Sequence, residues 1–485
     1  MSNEAITHER DRYLQALAMP LSGSCPKESC ESHQRPVDTY PDRYVRFGST
    51  ARGSQRYRCR SCASTFTIAP RVGRRLRRPD TSVLVFRLLM NKSPMRRICE
   101  VADIHPKTLY QRIGLIHAQT QRVAAMHERR LLDGLMIEHM HLAVDRQDHT
   151  FNWGSHLDRR SVILKAIASA DARSGYVIAQ HLNFDATIDP WEAELDARAV
   201  GDPQQRHAAF TKWARVRLPS QYADAGGALP EVDPTTAAPA KGIQVHESYA
   251  MTGHFLFLER LLRGVRHLQF SLDQEPLIRT ACLLSFAPRV RVGTVLAYLV
   301  NIDKTLTVEE RKVELARAAQ AFETLREDTS PDDDFALVVR VIRERHLAAM
   351  GREGGARGRW IAHPLPTMNE PRKSVQCLTA LPNVDLERLA RGYARASLNP
   401  VDRFFMQVRR RLSTMERPIA SASNQRRMWH GYSAYNPEIA EKLLGIFRVF
   451  YNYHLTGRDK KTPAQRLGLA DRVWALEDLL DDESM

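Results

Sequence analysis

The spacing of apolar and polar positions changes period several times along the chain, and each change marks a boundary between elements. Residues 80–130 carry helical spacing. The apolar segment "TSVLVFRLLM" is followed by "SPMRRICEVADIHPKTLYQRIGLIHAQTQRVAAMHERRLL", which predicts two further helical segments broken at "DIHP". From 135 to 185 the period shortens to that of strands. "LMIEHMHLAVD" predicts a strand ending on Asp145, and "SVILKAIASA" and "YVIAQHLNF" flank the turn "DARSG", a hairpin signal. A helix over "GHFLFLERLLRGV" leads into a strand over 267–273 that ends on Asp273, three residues before Pro276. "RVGTVLAYLVNI" (291–302) and "KSVQCLT" (373–379) both qualify as a fifth strand. Residues 307–350 read as charged helix, and helices resume from about 384 to 480. The stretch 185–250, with "DAGGALPEVDPTTAAPAKG", reads as a long surface insertion with little structure. No internal repeat is present.

A chain of 485 residues predicts two to four domains at roughly 100–200 residues each. The net charge of +15 points to a polyanionic partner, and nucleic acid is the usual one. The charge is concentrated. Between Ala51 and Glu100 there are 13 Arg or Lys against two acids, and 403–427 holds seven Arg and one acid. No apolar stretch reaches the ~20 residues of a membrane span. The start "MSNEAITHERDRYLQ" lacks the apolar core of a signal peptide, so a cytoplasmic, nucleoid-associated protein is expected.

Seven cysteines in a reducing compartment do not form a disulfide framework, but four of them are clustered. Cys25 and Cys30 form one pair, and Cys59 and Cys62 a second after 28 intervening residues. Two such knuckles supply four thiolates to one structural Zn²⁺. His33 is an alternative to Cys30 as the fourth ligand. A piece this polar has little core, so the metal would supply most of its folding energy. Arg58 and Arg60 surround the second pair, and Arg74, Arg75, Arg77 and Arg78 follow, a pattern suited to a phosphate backbone.

Pro94 and Pro106 each stand where a helix begins, and the short break between the helices matches a helix-turn-helix. At the start of the second helix, Lys107, Thr108, Gln111 and Arg112 are side chains able to touch phosphates or base edges.

A strand bearing Asp145, then a hairpin, then a later strand ending in Asp273 is the order of an RNase H-like sheet. The first and fourth strands of such a sheet are neighbours, so carboxylates 128 residues apart can meet. Asp148 and Asp171 compete with Asp145, although Asp171 lies in the hairpin turn, where Asp is common for backbone reasons. A third acid belongs at the start of a helix packed on the sheet. "LNPVDRFFMQVRRRLSTMERP" offers Asp402, beside an apolar stripe of Val401, Phe404, Phe405, Val408 and Leu412. Glu416 is about 21 Å further along such a helix, too far for the same job. Glu370 is the other candidate. Three convergent carboxylates suit two Mg²⁺ (or Mn²⁺) ions and an in-line displacement at phosphorus. Arg409 and Arg410, on the same helix as Asp402, suit the positioning of phosphates.

The cysteine pairs followed by the helix-turn-helix resemble the zinc-ribbon head of bacterial insertion-sequence transposases. "LAVDRQDH", "FSLDQEP" and "NPVDRFFMQVRRRL" resemble the three acid-bearing segments of their DDE catalytic domains, and the end of the chain resembles a tail common in transposases and integrases. The resemblance implies a multidomain α+β protein. Its parts are an N-terminal helix or tail (1–20), a zinc ribbon (21–72), a helix-turn-helix domain (78–130), an RNase H-like catalytic domain (131–460) with insertions at 185–250 and about 305–395, and a C-terminal tail (461–485). It implies a transposase that binds terminal repeats as a homo-oligomer and cuts and joins double-stranded DNA with Mg²⁺. The third acid departs from the family, which usually has Glu where this chain has Asp402. The alternatives are a catalytically inactive, sequence-specific DNA-binding protein and an RNase H-like nuclease without strand transfer.

Overall fold

The computed structural model describes residues 1–17, 23–33, 35–37, 40–50, 55–67, 80–132, 137–151, 162–223, 241–329, 333–350, 360–380, 384–416, 419–420, 428–429 and 436–480. It is a mixed α+β protein with a mixed main sheet, divided into two compact units. One comprises Met1–Asp11 and Leu131–Gln407, the other Arg12–Arg130 and Val408–Met485.

The chain opens with α1 (Asn3–Leu17), then a three-stranded sheet of β1 (Tyr44–Ser49), β2 (Gln55–Cys59) and β3 (Thr65–Thr67), paired antiparallel in that order. Its inner face is small. Tyr44, Val37, Cys25 and Cys59 are buried, with Tyr57 and Phe66 packed against them. Three helices follow, α2 (Asp80–Leu89), α3 (Met95–Ala102) and α4 (Pro106–Leu132). Asp103 closes α3 in the left-handed region at φ 50°, its N–H returning to the carbonyls of Cys99 and Glu100. The turn expected at "DIHP" is therefore present, and the second helix runs on for 27 residues. No proline interrupts it, and Leu109, Ile113, Ile116 and Val123 keep one face buried along its length.

The main sheet begins with β4 (Ile137–Phe151), β5 (Val162–Asp171) and β6 (Val177–Leu182). In the turn between β5 and β6, Asp171 Oδ2 accepts the N–H of Ser174 at 2.7 Å, and Gly175 takes a φ of +75°. Asp171 thus works on the backbone. The stretch after it differs from its reading as a loosely structured insertion. Among its described residues are β7 (Phe184–Asp185), α5 (Pro190–Ala199), α6 (Pro219–Ala223) and β8 (Ile243–Gln244), with Ala193, Ala197, Val216, Ile243 and Val245 buried together. Asp189 caps α5 by accepting from the N–H groups of Trp191 and Glu192. Arg215 is buried between Glu9 at 2.8 Å and Asp185 at 2.7 Å. The Ala- and Pro-rich composition hides this order because small residues pack without forming an apolar run. The densest part of that composition, 224–240, lies outside the described residues.

Next come α7 (Glu247–Leu261), β9 (Val265–Leu272), α8 (Pro276–Ser285), α9 (Ala287–Arg291), β10 (Val295–Asn301), α10 (Val308–Thr329) and α11 (Asp334–Met350). They are followed by β11 (Ile361–Ala362), β12 (Ser374–Cys377), α12 (Leu386–Arg395) and α13 (Asn399–Arg411). The sheet order is β11-β12-β10-β9-β4-β5-β6. The strands β4, β9 and β10 run parallel, whereas β5, β6 and β12 are antiparallel to their neighbours. Both segments that qualified as a fifth strand are in the sheet, side by side.

One sheet face buries Phe270 against Phe255 of α7 and Phe286 beside α8. The other receives α12. Gln269 donates to the carbonyl of Gly392 at 2.8 Å, and the Tyr298 hydroxyl donates to that of Leu389 at 3.2 Å. A Cβ at Gly392 would stand 2.0 Å from the Tyr298 hydroxyl oxygen, so this close approach requires glycine.

The chain ends with a short pairing of β13 (Ile419–Ala420) and β14 (Met428–Trp429), then α14 (Pro437–Tyr453) and α15 (Pro463–Leu467). Helix α14 packs on α2 through Phe450 and Phe86 and on α4 through a buried Arg448–Glu128 pair at 2.5 Å. Among the described residues, no helix is long and apolar enough to cross a membrane.

Candidate metal centres

The first site is built by two chain reversals. Cys25 and Cys30 lie on one, Cys59 and Cys62 on the reversal that ends β2. The four sulfurs lie within 4.8 Å of one another. Cys25 Sγ is 3.4 Å from Cys62 Sγ, and Cys30 Sγ is 3.8 Å from Cys59 Sγ. A tetrahedral zinc bonded to sulfur at about 2.3 Å sets ligand edges of about 3.8 Å, so this quartet matches a metal-sized cradle. Backbone donors already point at the sulfurs, with Ser32 N–H 3.4 Å from Cys30 Sγ. The Ser64 hydroxyl and N–H draw the Cys62 thiol down to about 6, while burial pushes Cys25 up to about 12. His33, weighed as a substitute for Cys30, instead hydrogen-bonds through Nδ1 to the carbonyl of Cys25 at 2.9 Å and stands outside the quartet.

The second cluster is formed by acids. In the parallel pairing of β4 with β9, Val144 lies opposite Leu272, and Asp273 N–H donates to the Val144 carbonyl at 3.2 Å. Asp145 and Asp273 are the next residues on each chain, in matching positions where the pairing stops. Strand β4 does not end at Asp145 as expected. It continues to Phe151 along β5, with Asp145 opposite Ala168. Asp273 does not cap α8, where the N-cap is Glu275 and has no side-chain cap bond. Asp148 is exposed, opposite Lys165.

Asp402 lies in the first turn of α13. Burial raises the Asp145 carboxyl to about 8, and the charges of Asp273 and Asp402 add to the rise. Burial also raises Asp402, opposed by Lys304 and reinforced by Glu370 and Asp273. Asp145 accepts its own neighbour's N–H, that of Arg146, at 2.7 Å. The charge of each disfavours ionisation of the others. Among the described residues, the cysteine quartet is the group whose ligand atoms all fall within 4.8 Å, and the aspartates are spread more widely.

Glu370, the alternative third acid, has a different job. Its Oε1 accepts from the Ser397 hydroxyl at 2.7 Å and from the N–H groups of Leu398 at 2.8 Å and Asn399 at 3.1 Å, while Lys373 Nζ lies 2.9 Å from Oε2. Burial would raise this carboxyl, but Lys373 and these donors outweigh it and hold it below its ordinary value. Glu370 therefore caps α13 and leaves Asp402 to act on the other acids.

Lys304 was not singled out from sequence. It follows β10 on a loop in which Asp303 Oδ1 accepts from Thr305 N–H at 3.0 Å and Asp303 N–H donates to the Pro371 carbonyl at 3.3 Å. It is the cation that opposes the rise of both Asp145 and Asp402. Its only sequence signal is a lysine just past an apolar strand.

The expected nucleic-acid contacts fall into three groups. Arg58, Arg60, Lys107, Gln111 and Arg410 are exposed, and Thr108 and Arg409 are half-buried. Arg74, Arg75, Arg77 and Arg78 lie outside the described residues. Arg112 does not face outward as expected. It is 6 % exposed, and its guanidinium donates to Ser82 Oγ of α2 at 3.0 Å. Its position follows from the helical period, which puts Arg112 beside the buried Leu109 and Ile113. No family model and no curated protein matches the chain.

Proposed function

We propose that this protein is a DNA strand transferase of the DDE type, a transposase whose RNase H-like core carries Asp145, Asp273 and Asp402. What supports this reading is the matching placement of Asp145 and Asp273 where the β4–β9 pairing stops, with the charge of Asp402 bearing on Asp145. The strand order supports it. Read as β6-β5-β4-β9-β10, the sheet has its hairpin on one side of the first acid-bearing strand and the second acid-bearing strand on the other.

In this reading the three aspartates hold two Mg²⁺ or Mn²⁺ ions. When bound, these supply activation of the attacking oxygen and stabilisation of the leaving oxygen at phosphorus. Asp145 and Asp273, fixed by the β4–β9 pairing, form the rigid side of the site. Asp402 completes it from a helix whose start is clamped by Glu370. Aspartate in place of glutamate at this position is one methylene shorter, and the helix sits close enough for its carboxylate to act on Asp145. In this reading Lys304, whose charge bears on Asp145 and Asp402, meets the phosphate. The four cysteines hold one structural zinc, and the zinc-bearing sheet with the exposed start of α4 grips the duplex of the terminal repeats. Arg409 and Arg410 lie on the phosphate backbone.

The test is metal-dependent cleavage and joining of a DNA duplex carrying the element's ends. Asp273→Ala should abolish cleavage and leave DNA binding intact. Undiminished cleavage would refute the assignment, and products that are cut but never joined would make the protein a nuclease.

A further inference from the structure

The outward face of the three-stranded sheet carries an exposed aromatic ring beside Arg58, which was weighed above only as a phosphate contact. In β1 and β2, Val45 pairs with Arg58 and Arg46 with Tyr57. Tyr57 stacks inward on Phe66, with ring centroids 6.1 Å apart, so Val45, Phe47, Arg56 and Arg58 share the opposite face. Phe47 is 45 % exposed and Val45 41 %. The guanidinium carbons of Arg56 and Arg58 stand 5.7 and 5.8 Å from the Phe47 ring centroid. A second exposed aromatic at the same small unit, Tyr40, is paired in the same way with Arg35 at 5.8 Å.

An isolated apolar patch here would be a liability, and a purely cationic one would need no aromatics. The combination of ring faces bordered by guanidiniums matches unstacked nucleotides. A base lies on the ring and its phosphate meets the arginine. Duplex DNA offers phosphates but keeps its base faces covered. We propose that this face binds unpaired nucleotides, with Phe47 as the stacking platform and Arg56 and Arg58 as the phosphate contacts. This deepens the reading above, on which it rests for its nucleic-acid partner. It assigns this one face of the zinc-bearing sheet to the melted or cut end of a strand in the duplex that the unit grips.

The experiment uses the full-length, zinc-loaded chain and fluorescence anisotropy at fixed salt. The probes are a labelled mixed-sequence duplex and the same labelled strand alone. Phe47→Ala should weaken single-strand binding roughly 5- to 150-fold, the range measured for loss of one base stack, and leave duplex binding unchanged. Phe47→Trp should retain single-strand binding. Arg58→Ala should weaken binding of both probes. Zinc content is measured on each variant. Should Phe47→Ala lose zinc, Phe47→Leu, which keeps an apolar side chain but has no ring, repeats the comparison. A wild-type chain that binds duplex while its Phe47 variants match it on single strand overturns this inference alone. A wild-type chain that binds neither probe overturns the nucleic-acid reading with it.

Discussion

The carboxylate of Glu370 accepts the backbone N–H of Leu398 at 2.8 Å, and in doing so fixes the start of the helix that carries Asp402. Glu370 is 2 % exposed and shares its buried site with Lys373. Removing it strands a buried ammonium and uncaps the helix together. Glu370→Ala is expected to cost about 3–5 kcal/mol of stability, and Glu370→Gln, which keeps an acceptor, less than that. Urea unfolding of the three proteins measures it. A loss in Glu370→Ala no larger than that of an exposed substitution would show that the cap is dispensable.

Asp145 gives the metal-free protein a pH dependence with a definite sign. Its carboxyl titrates at about 8 in the fold against an ordinary 3.8, raised by burial and by Asp273 and Asp402. Between those values the folded chain holds a proton that the unfolded chain has lost, so stability falls as pH rises through this window. The slope should amount to a few kcal/mol at about pH 8, and Asp145→Asn should flatten it. Thermal melts at pH 5 and pH 8, in chelator, compare the two. Equal changes in melting temperature would show that Asp145 does not carry the effect.

The cysteine quartet predicts one zinc per chain. Cys59→Ser should release it, since three ligands remain where a closed structural site needs four. With the metal gone, the small core of Val37, Tyr44, Tyr57 and Phe66 is too slight to hold the unit folded. Limited proteolysis should therefore cut the wild-type chain within 23–67 only after chelation. Resistance in the absence of metal would mean that the sheet folds without it.

Arg112 and Lys107 should separate cleanly although they lie within two turns of each other. Arg112→Ala removes a buried guanidinium that bonds Ser82, and should cost about 1–3 kcal/mol of stability. Lys107→Ala removes an exposed cation and should leave the melting temperature alone. It should lower the slope of log affinity for DNA against log salt by about 1. Titrations at several salt concentrations, beside melts, decide it. A salt slope unchanged in Lys107→Ala would remove this helix start from the interface.

Much of the sheet was readable from period alone. The hairpin around "DARSG" and the strand ending on Asp273 combine clear alternation with turn residues, and both are present. The end of β4 was misread because Asp145, Arg146 and Asp148 look like a turn. They are accommodated in a strand because β5 runs beside them for ten residues. Glu370 as a cap was not legible, for its partners lie 27–29 residues further on and no local spacing links them. Arg112 was misjudged by residue type, since its position on the buried face of α4 decides where it points. Order in 185–223 and 241–250 was hidden because alanine and proline carry little apolar signal, even where Ala193 and Ala197 are core.

The acids also have a history in time. Asp402 is made 129 residues after Asp273, which at ~5–20 residues per second is about 6–26 s of synthesis. During that interval the two strand-borne carboxylates exist without their third member. Under the function proposed above, a growing chain therefore has no complete grip on cations until α13 leaves the ribosome, and a chain that stops early cannot cut the DNA beside it.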